Sequence, residues 1–231
     1  METIFSKDNN PDKNGIAFFD LDRTVISTNS GKVLIQYAYE KKLINILDLL
    51  RGTFVSLLYK FKLRDTVKLI NSLVGWLKGV SESSFKDFSA EMFKDRLVNT
   101  IRPEIREKIN FHKIHGIRVV LLSSAILPVC REVADYLEMD DIICSGLELK
   151  NGIYTGLPVG LFCFGKEKVT RLTQYCNTNN IDPWQSWYYG DSIDDLPILS
   201  SVGHPVCVNP DKKLLKESVK RGWEVLSITK A

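Results

Sequence analysis

The chain has 231 residues, of which 44% are hydrophobic, and a formal net charge of +3. That suits one sizeable core or one domain carrying an insertion, and it offers no Lys/Arg run to follow a nucleic-acid backbone. No uninterrupted apolar stretch is long enough to span a membrane, and the polar start METIFSKDNNPDKNG lacks the apolar segment of a secretory signal.

In chain order, Ile16 to Asp20 is a short apolar run that ends in an acid and reads as a buried strand. From about Lys32 to Ile109 the residues are rich in Leu, Lys and Glu, with apolar positions three and four apart, which predicts helices. Arg102 or Pro103 opens another helix, and Gly116 is placed to end it. RVVLL, Arg118 to Leu122, is a second buried strand, followed by a helix from about Leu127 to Leu137 and a short strand near Ile142. Asn151-Gly152, inside LELKNGIYTG, predicts a tight hairpin. A helix over Lys168–Asn177, a strand over Ser186–Gly190, a short helix over Leu196–Ser200, a strand over Pro205–Val208 and a helix over Lys212–Lys220 complete the chain. The five cysteines (Cys130, Cys144, Cys163, Cys176 and Cys207) are scattered without a CxxC pair. They predict free packing thiols and a reducing, cytoplasmic setting rather than a disulfide framework or a zinc site.

Strands alternating with helices around a long helical insert predict an α/β fold, a Rossmann-like doubly wound parallel sheet with an inserted α-helical cap. The expected division is 15–30 and 111–231 for the core, 31–110 for the cap and 1–14 for a polar leading segment. Ligands of such sheets bind beyond the carboxyl ends of the strands, and polar residues follow three of them: Asp20, Ser123, and Gly190-Asp191. A carboxylate can attack phosphorus. Because it also repels phosphate, a divalent cation is needed between them, and magnesium takes one or two carboxylates with phosphate and water. Asp20 and Asp191 can supply that pair. Asp22, two residues after Asp20, can act as general acid and then as base. Ser123 and Lys168 can hold the remaining phosphate oxygens.

DLDRT (Asp20 to Thr24), the Ser of LLSSA, the Lys of GKEKVTRL and GDSIDDLP (Gly190 to Pro197) resemble, in order and spacing, the four motifs of the haloacid dehalogenase superfamily. The insert after the first motif is similar to the helical cap of its phosphoserine-phosphatase-like branch. The resemblance implies a magnesium-dependent phosphomonoesterase that works through an aspartyl-phosphate. It implies Asp20 as nucleophile and metal ligand, and Asp22 as general acid/base that also binds the metal through its carbonyl. Thr24 would orient Asp22 or the phosphate loop, and Ser123 and Lys168 would bind phosphate. Asp191 would be the third protein ligand to the metal, with Asp195 supporting the metal waters or Lys168. Asp194, Ser124 and Lys166 are neighbours that compete with these positions.

Two residues depart from the family pattern. Arg23 stands where a small residue is common, and Asn29 stands where phosphoserine phosphatases carry a Glu that reads the substrate amine. Asn29 therefore argues against phosphoserine. LINILDLLRGTFVSLLYKF, residues 43–61, reads as the core face of the cap, with a lipid- or membrane-facing surface as the sharper alternative. The expected substrate is a small phosphorylated metabolite. The alternatives are a phospholipid or lipid head-group phosphate, or a non-catalytic adaptor on the same fold. His112, His115 and His204 are expected to be structural or exposed.

Overall fold

A computed structural model describes residues 15–45 and 74–228. The leading segment 1–14 and all of the apolar stretch 43–61 beyond residue 45 lie outside the described residues.

The first strand, β1 (Ile16–Phe19), shows why this chain builds a sheet covered on both faces. Side chains alternate across a strand, yet all four residues are buried. Ala17 and Phe19 enter one hydrophobic cluster, and Ile16 and Phe18 enter another. A strand dry on both faces belongs in the middle of a sheet. It pairs in parallel with β2 (Arg118–Ile126) on one side and β5 (Trp187–Gly190) on the other. Beyond β2 come β3 (Asp141–Lys150) and then β4 (Ile153–Val159), the single antiparallel partner in this seven-stranded sheet. Beyond β5 come β6 (His204–Val208) and β7 (Glu224–Leu226), a short strand absent from the sequence expectation. The order β4-β3-β2-β1-β5-β6-β7 is the expected doubly wound arrangement. Asn151 and Gly152 both take positive φ (53° and 75°), as a two-residue hairpin turn requires.

The described α-helices are α1 (Ser30–Glu40), α2 (Glu82–Met92), α3 (Pro103–Ile114), α4 (Leu127–Tyr136), α5 (Lys166–Thr178), the single-turn α6 (Leu196–Leu199) and α7 (Lys212–Arg221). Pro103 occupies the first turn of α3, where its missing N–H costs nothing. α3 lies against the sheet: the ring of His112 meets the ring of Phe19 edge-on, and its Nε2 is 2.8 Å from the Tyr189 hydroxyl. Burial pushes the His112 pKa down to about 3, so the ring is neutral.

The chain leaves the sheet after β1 and returns before β2 through adjacent segments. Ser27 N donates to Thr100 O (2.7 Å), Arg102 N donates to Val25 O (2.9 Å), and Ile26 bridges Ile101. The excursion packs Tyr37, Trp76, Phe85 and Phe88 together, and Tyr154 of β4 adds its ring at 5.6 Å from that of Phe85. The β3–β4 hairpin is also bonded to this excursion: Gly79 N donates to Tyr154 O, Tyr154 N to Val80 O and Glu82 N to Gly152 O.

Going outward from β1, the chain order runs to β2 on one side and to β5 on the other. This reversal opens a crevice at the carboxyl ends of β1 and β5, the usual ligand position in such sheets.

Candidate active site

Asp20 follows β1 and Asp191 follows β5, so the crevice receives a carboxylate from each wall. The Asp20 N–H donates to Tyr189 O at 2.9 Å, which fixes the loop against the neighbouring strand. Ser123 lies inside β2, which runs on to Ile126 rather than stopping at Leu122. The pairing of β2 with β3 shifts register between Leu122 and Ile126, and such irregularities re-aim side chains next to active sites. Ser123 is fully buried and its Oγ accepts from Ala125 N at 3.1 Å, while Ser124 is less buried and offers its carbonyl to Ser145.

Lys168, in the first turn of α5, is the hub of the site. Its Nζ donates to Asp20 Oδ1 at 2.7 Å, to Asp195 Oδ1 at 2.9 Å and to the Tyr188 hydroxyl at 2.9 Å. Only 4% of the residue is exposed. Burial opposes its charge, but Asp195 and Asp20 overturn that and hold its pKa well above the usual lysine value. Lys166, two residues earlier, is exposed. Asp195 ends a single 3-10 turn and is buried against Lys168, whereas Asp194 beside it faces solvent.

Asp20, Asp191 and Asp195 each offer a carboxylate oxygen within 4.8 Å of the others, and all three are buried. Burial raises the pKa of Asp20, and Asp195 and Asp191 add to the rise against the pull of Lys168. Burial also pushes Asp191 up to about 7, with Asp195 adding to it. Three buried carboxylates around one ammonium leave excess negative charge in a dry place, a costly arrangement unless a cation completes it. Hard oxygen donors in such a group suit a divalent ion like magnesium. Asp195 already accepts from Lys168 and Tyr188, so the carboxylates best able to hold a metal are those of Asp20 and Asp191.

Asp22 sits apart from that cluster. Its Oδ2 accepts from Asn29 Nδ2 and its Oδ1 from Ser30 N, both at 2.8 Å. Burial raises its pKa and the bonds from Ser30 oppose the rise. Asn29 also caps α1, accepting from Lys32 N at 2.8 Å. Thr24 is fully buried and its hydroxyl has no hydrogen-bond partner among the described residues, which leaves a donor available in the loop after β1. Arg23 is exposed at φ 60°, a left-handed backbone that few side chains adopt. Neither Tyr188 nor the bond from Asn29 to Asp22 carries a signal in the sequence.

The profile of the haloacid dehalogenase-like hydrolases matches residues 17–200. The chain belongs to this family. A probable phosphatase of Mycobacterium tuberculosis is 28% identical over 93% of the chain and 75% of its own length. A histidinol-phosphatase of Neisseria meningitidis is 30% identical over 92% of the chain and 98% of its own length. A phosphoserine phosphatase solved as a phospho-aspartyl intermediate analogue superposes with a TM-score of 0.67, at 17% identity and 93% coverage of both chains; it shares the fold. The protein is accordingly a phosphoric monoester hydrolase of the haloacid dehalogenase-like family. Family members of this kind generally use a divalent metal, and the buried acidic cluster fits one. Among the described residues no helix is long and apolar enough to cross a membrane.

Proposed function

We propose that the protein hydrolyses the phosphomonoester of a small metabolite through an aspartyl-phosphate on Asp20, with magnesium as the divalent ion. The observation that carries this reading is the buried set of Asp20, Asp191 and Asp195 gathered around Lys168. The cation would be held by the carboxylates of Asp20 and Asp191 and the carbonyl of Asp22, and it would offset the repulsion between phosphate and acid. Asp20 attacks phosphorus with the oxygen that Lys168 does not hold. Asp22 gives its proton to the leaving oxygen, and afterwards takes one from the water that cleaves the phosphoenzyme. Ser123 and Thr24 bind the phosphoryl oxygens, Lys168 neutralises the charge of the phosphate and of the phosphoryl-enzyme, and Asp195 orients Lys168.

In this reading 15–30 and 111–231 form the catalytic core and the intervening segment forms a helical cap, with α3 at its end lying on the core sheet. A small substrate is supported by the histidinol-phosphatase relative, which matches almost end to end. The free cysteines suit a cytoplasmic setting. The test is a panel of phosphorylated metabolites with and without EDTA, run on the wild type and on Asp20→Asn. Turnover should need the metal and disappear in Asp20→Asn while the fold persists. Wild-type rates in either metal-free buffer or Asp20→Asn would refute the mechanism.

A further inference from the structure

We propose that Tyr188 is a positioning residue that fixes the ammonium of Lys168 for the reaction. This inference rests on the reading above, in which the charge of Lys168 offsets that of the substrate phosphate. A lysine carries a compact charge on a long, rotatable stem, so its aim has to be imposed from outside. Asp20 and Asp195 take two of its N–H bonds, and the Tyr188 hydroxyl takes the third at 2.9 Å. An ammonium has three donors and no acceptor. The Tyr188 oxygen must therefore accept from Lys168, and its own proton is free to point to Asp195 Oδ1, 3.0 Å away. Lys168, Tyr188 and Asp195 close a ring of hydrogen bonds whose directions the chemistry dictates.

A second observation supports the assignment independently. A Cβ on Gly190 would lie 2.8 Å from Tyr188 Cε1 and 3.0 Å from Asp195 Oδ2. No side chain fits there while Tyr188 and Asp195 hold these positions. The glycine of GDSIDD thus leaves room for the ring that orients the lysine. Tyr189, next in sequence, faces the other side of the sheet and bonds His112. The role belongs to one tyrosine of the pair. Tyr188 is fully buried, and burial first, then Asp195, keeps its hydroxyl protonated.

The test has a structural and a kinetic arm. In proton–nitrogen spectra of protein labelled on its lysine side chains, the wild type should show a slowly exchanging ammonium that is missing in Lys168→Met. Tyr188→Phe keeps the ring and removes the oxygen, and it should speed exchange of that signal at least about tenfold or erase it. Gly190→Ala, which pushes the ring while keeping the hydroxyl, should do the same. With 4-nitrophenyl phosphate and magnesium, Tyr188→Phe should lower kcat about tenfold or more with little change in KM. The same change made in Lys168→Met should cost nothing further. An unaltered ammonium signal in Tyr188→Phe, or an equal kinetic loss with and without Lys168, overturns the proposal. Wild-type protein that hydrolyses no phosphomonoester would count against the functional reading instead, and the spectra would still decide the tie between Tyr188 and Lys168.

Discussion

Replacing Asp191 by Asn should stabilise the metal-free protein, and only at higher pH. Asp191 is 8% exposed and its pKa is pushed up to about 7, by burial first and by Asp195 second. An unfolded aspartate titrates near 4. The folded state therefore prefers the protonated acid. The penalty is absent below the unfolded pKa, grows between the two values and is complete above about 7. Each tenfold in proton affinity is worth about 1.4 kcal/mol, so an ionised Asp191 with no cation costs the fold up to about 4 kcal/mol. Asn removes the charge but brings an amide with its own needs, so a net gain of about 1–3 kcal/mol is expected. For a chain of this size that is a rise of roughly 2–10 °C in Tm. Thermal unfolding in EDTA at pH 8 should show it, and the difference should shrink as the pH falls to about 5, where less than half of the penalty remains. Added magnesium should reverse the order at pH 8, because the wild type gains a bound cation and the variant loses a ligand. If Asp191→Asn is no more stable than the wild type at pH 8 in EDTA, or gains equally at both pH values, then uncompensated charge is not what a cation relieves at this site.

Phosphoserine is expected to be a poor substrate in a side-by-side panel, because the Asn29 side chain is engaged by Asp22 and by the α1 cap and carries no charge for an ammonium; a top rank for phosphoserine would refute this. Asp22→Asn should slow phosphoenzyme formation from alkyl phosphates at least about tenfold more than from aryl phosphates, whose leaving groups need less protonation. Phosphoenzyme breakdown should slow for both, and single-turnover kinetics separates the two steps.

Much of this was legible in the sequence because it is local. The apolar run before Asp20 gives β1, Asn151-Gly152 gives the hairpin and Pro103 gives the start of α3, each through the preferences of a few adjacent residues. Asp20, Lys168 and Asp191 could be picked out because each stands at the end of a strand or the start of a helix that its neighbours define, and Ser123 because it directly follows the apolar run RVVLL, although β2 continues past it to Ile126. What escaped depends on contacts across long sequence separations. Nothing near Tyr188 marks it above Tyr189; its role exists only because Lys168, 20 residues earlier, and Asp195 converge on its oxygen. β7 has three residues, too few for a pattern, and exists by pairing with β6. α3 reads as one more amphipathic helix of the insert, and the His112–Tyr189 contact that ties it to the sheet spans 77 residues.

The second acid of the site is bonded to the start of α1 rather than to the sheet. Asn29 must turn its Oδ1 to Lys32 N to cap α1, which leaves its amide hydrogens facing Asp22. Ser30 N, the first residue of α1, holds the other Asp22 oxygen. Asp20, only two residues earlier, is held by Tyr189 and Lys168, both on the core. Thus a displacement of α1 against the sheet would move Asp22 relative to Asp20, although the two share one short loop. The return segment is clasped to the same loop through Val25, Ser27, Thr100 and Arg102. The loop that carries Asp20 therefore also joins the sheet to the segment that leaves it after β1 and returns before β2. In the proposed mechanism, attack and proton transfer depend on the spacing of these two carboxylates, which follows the position of α1.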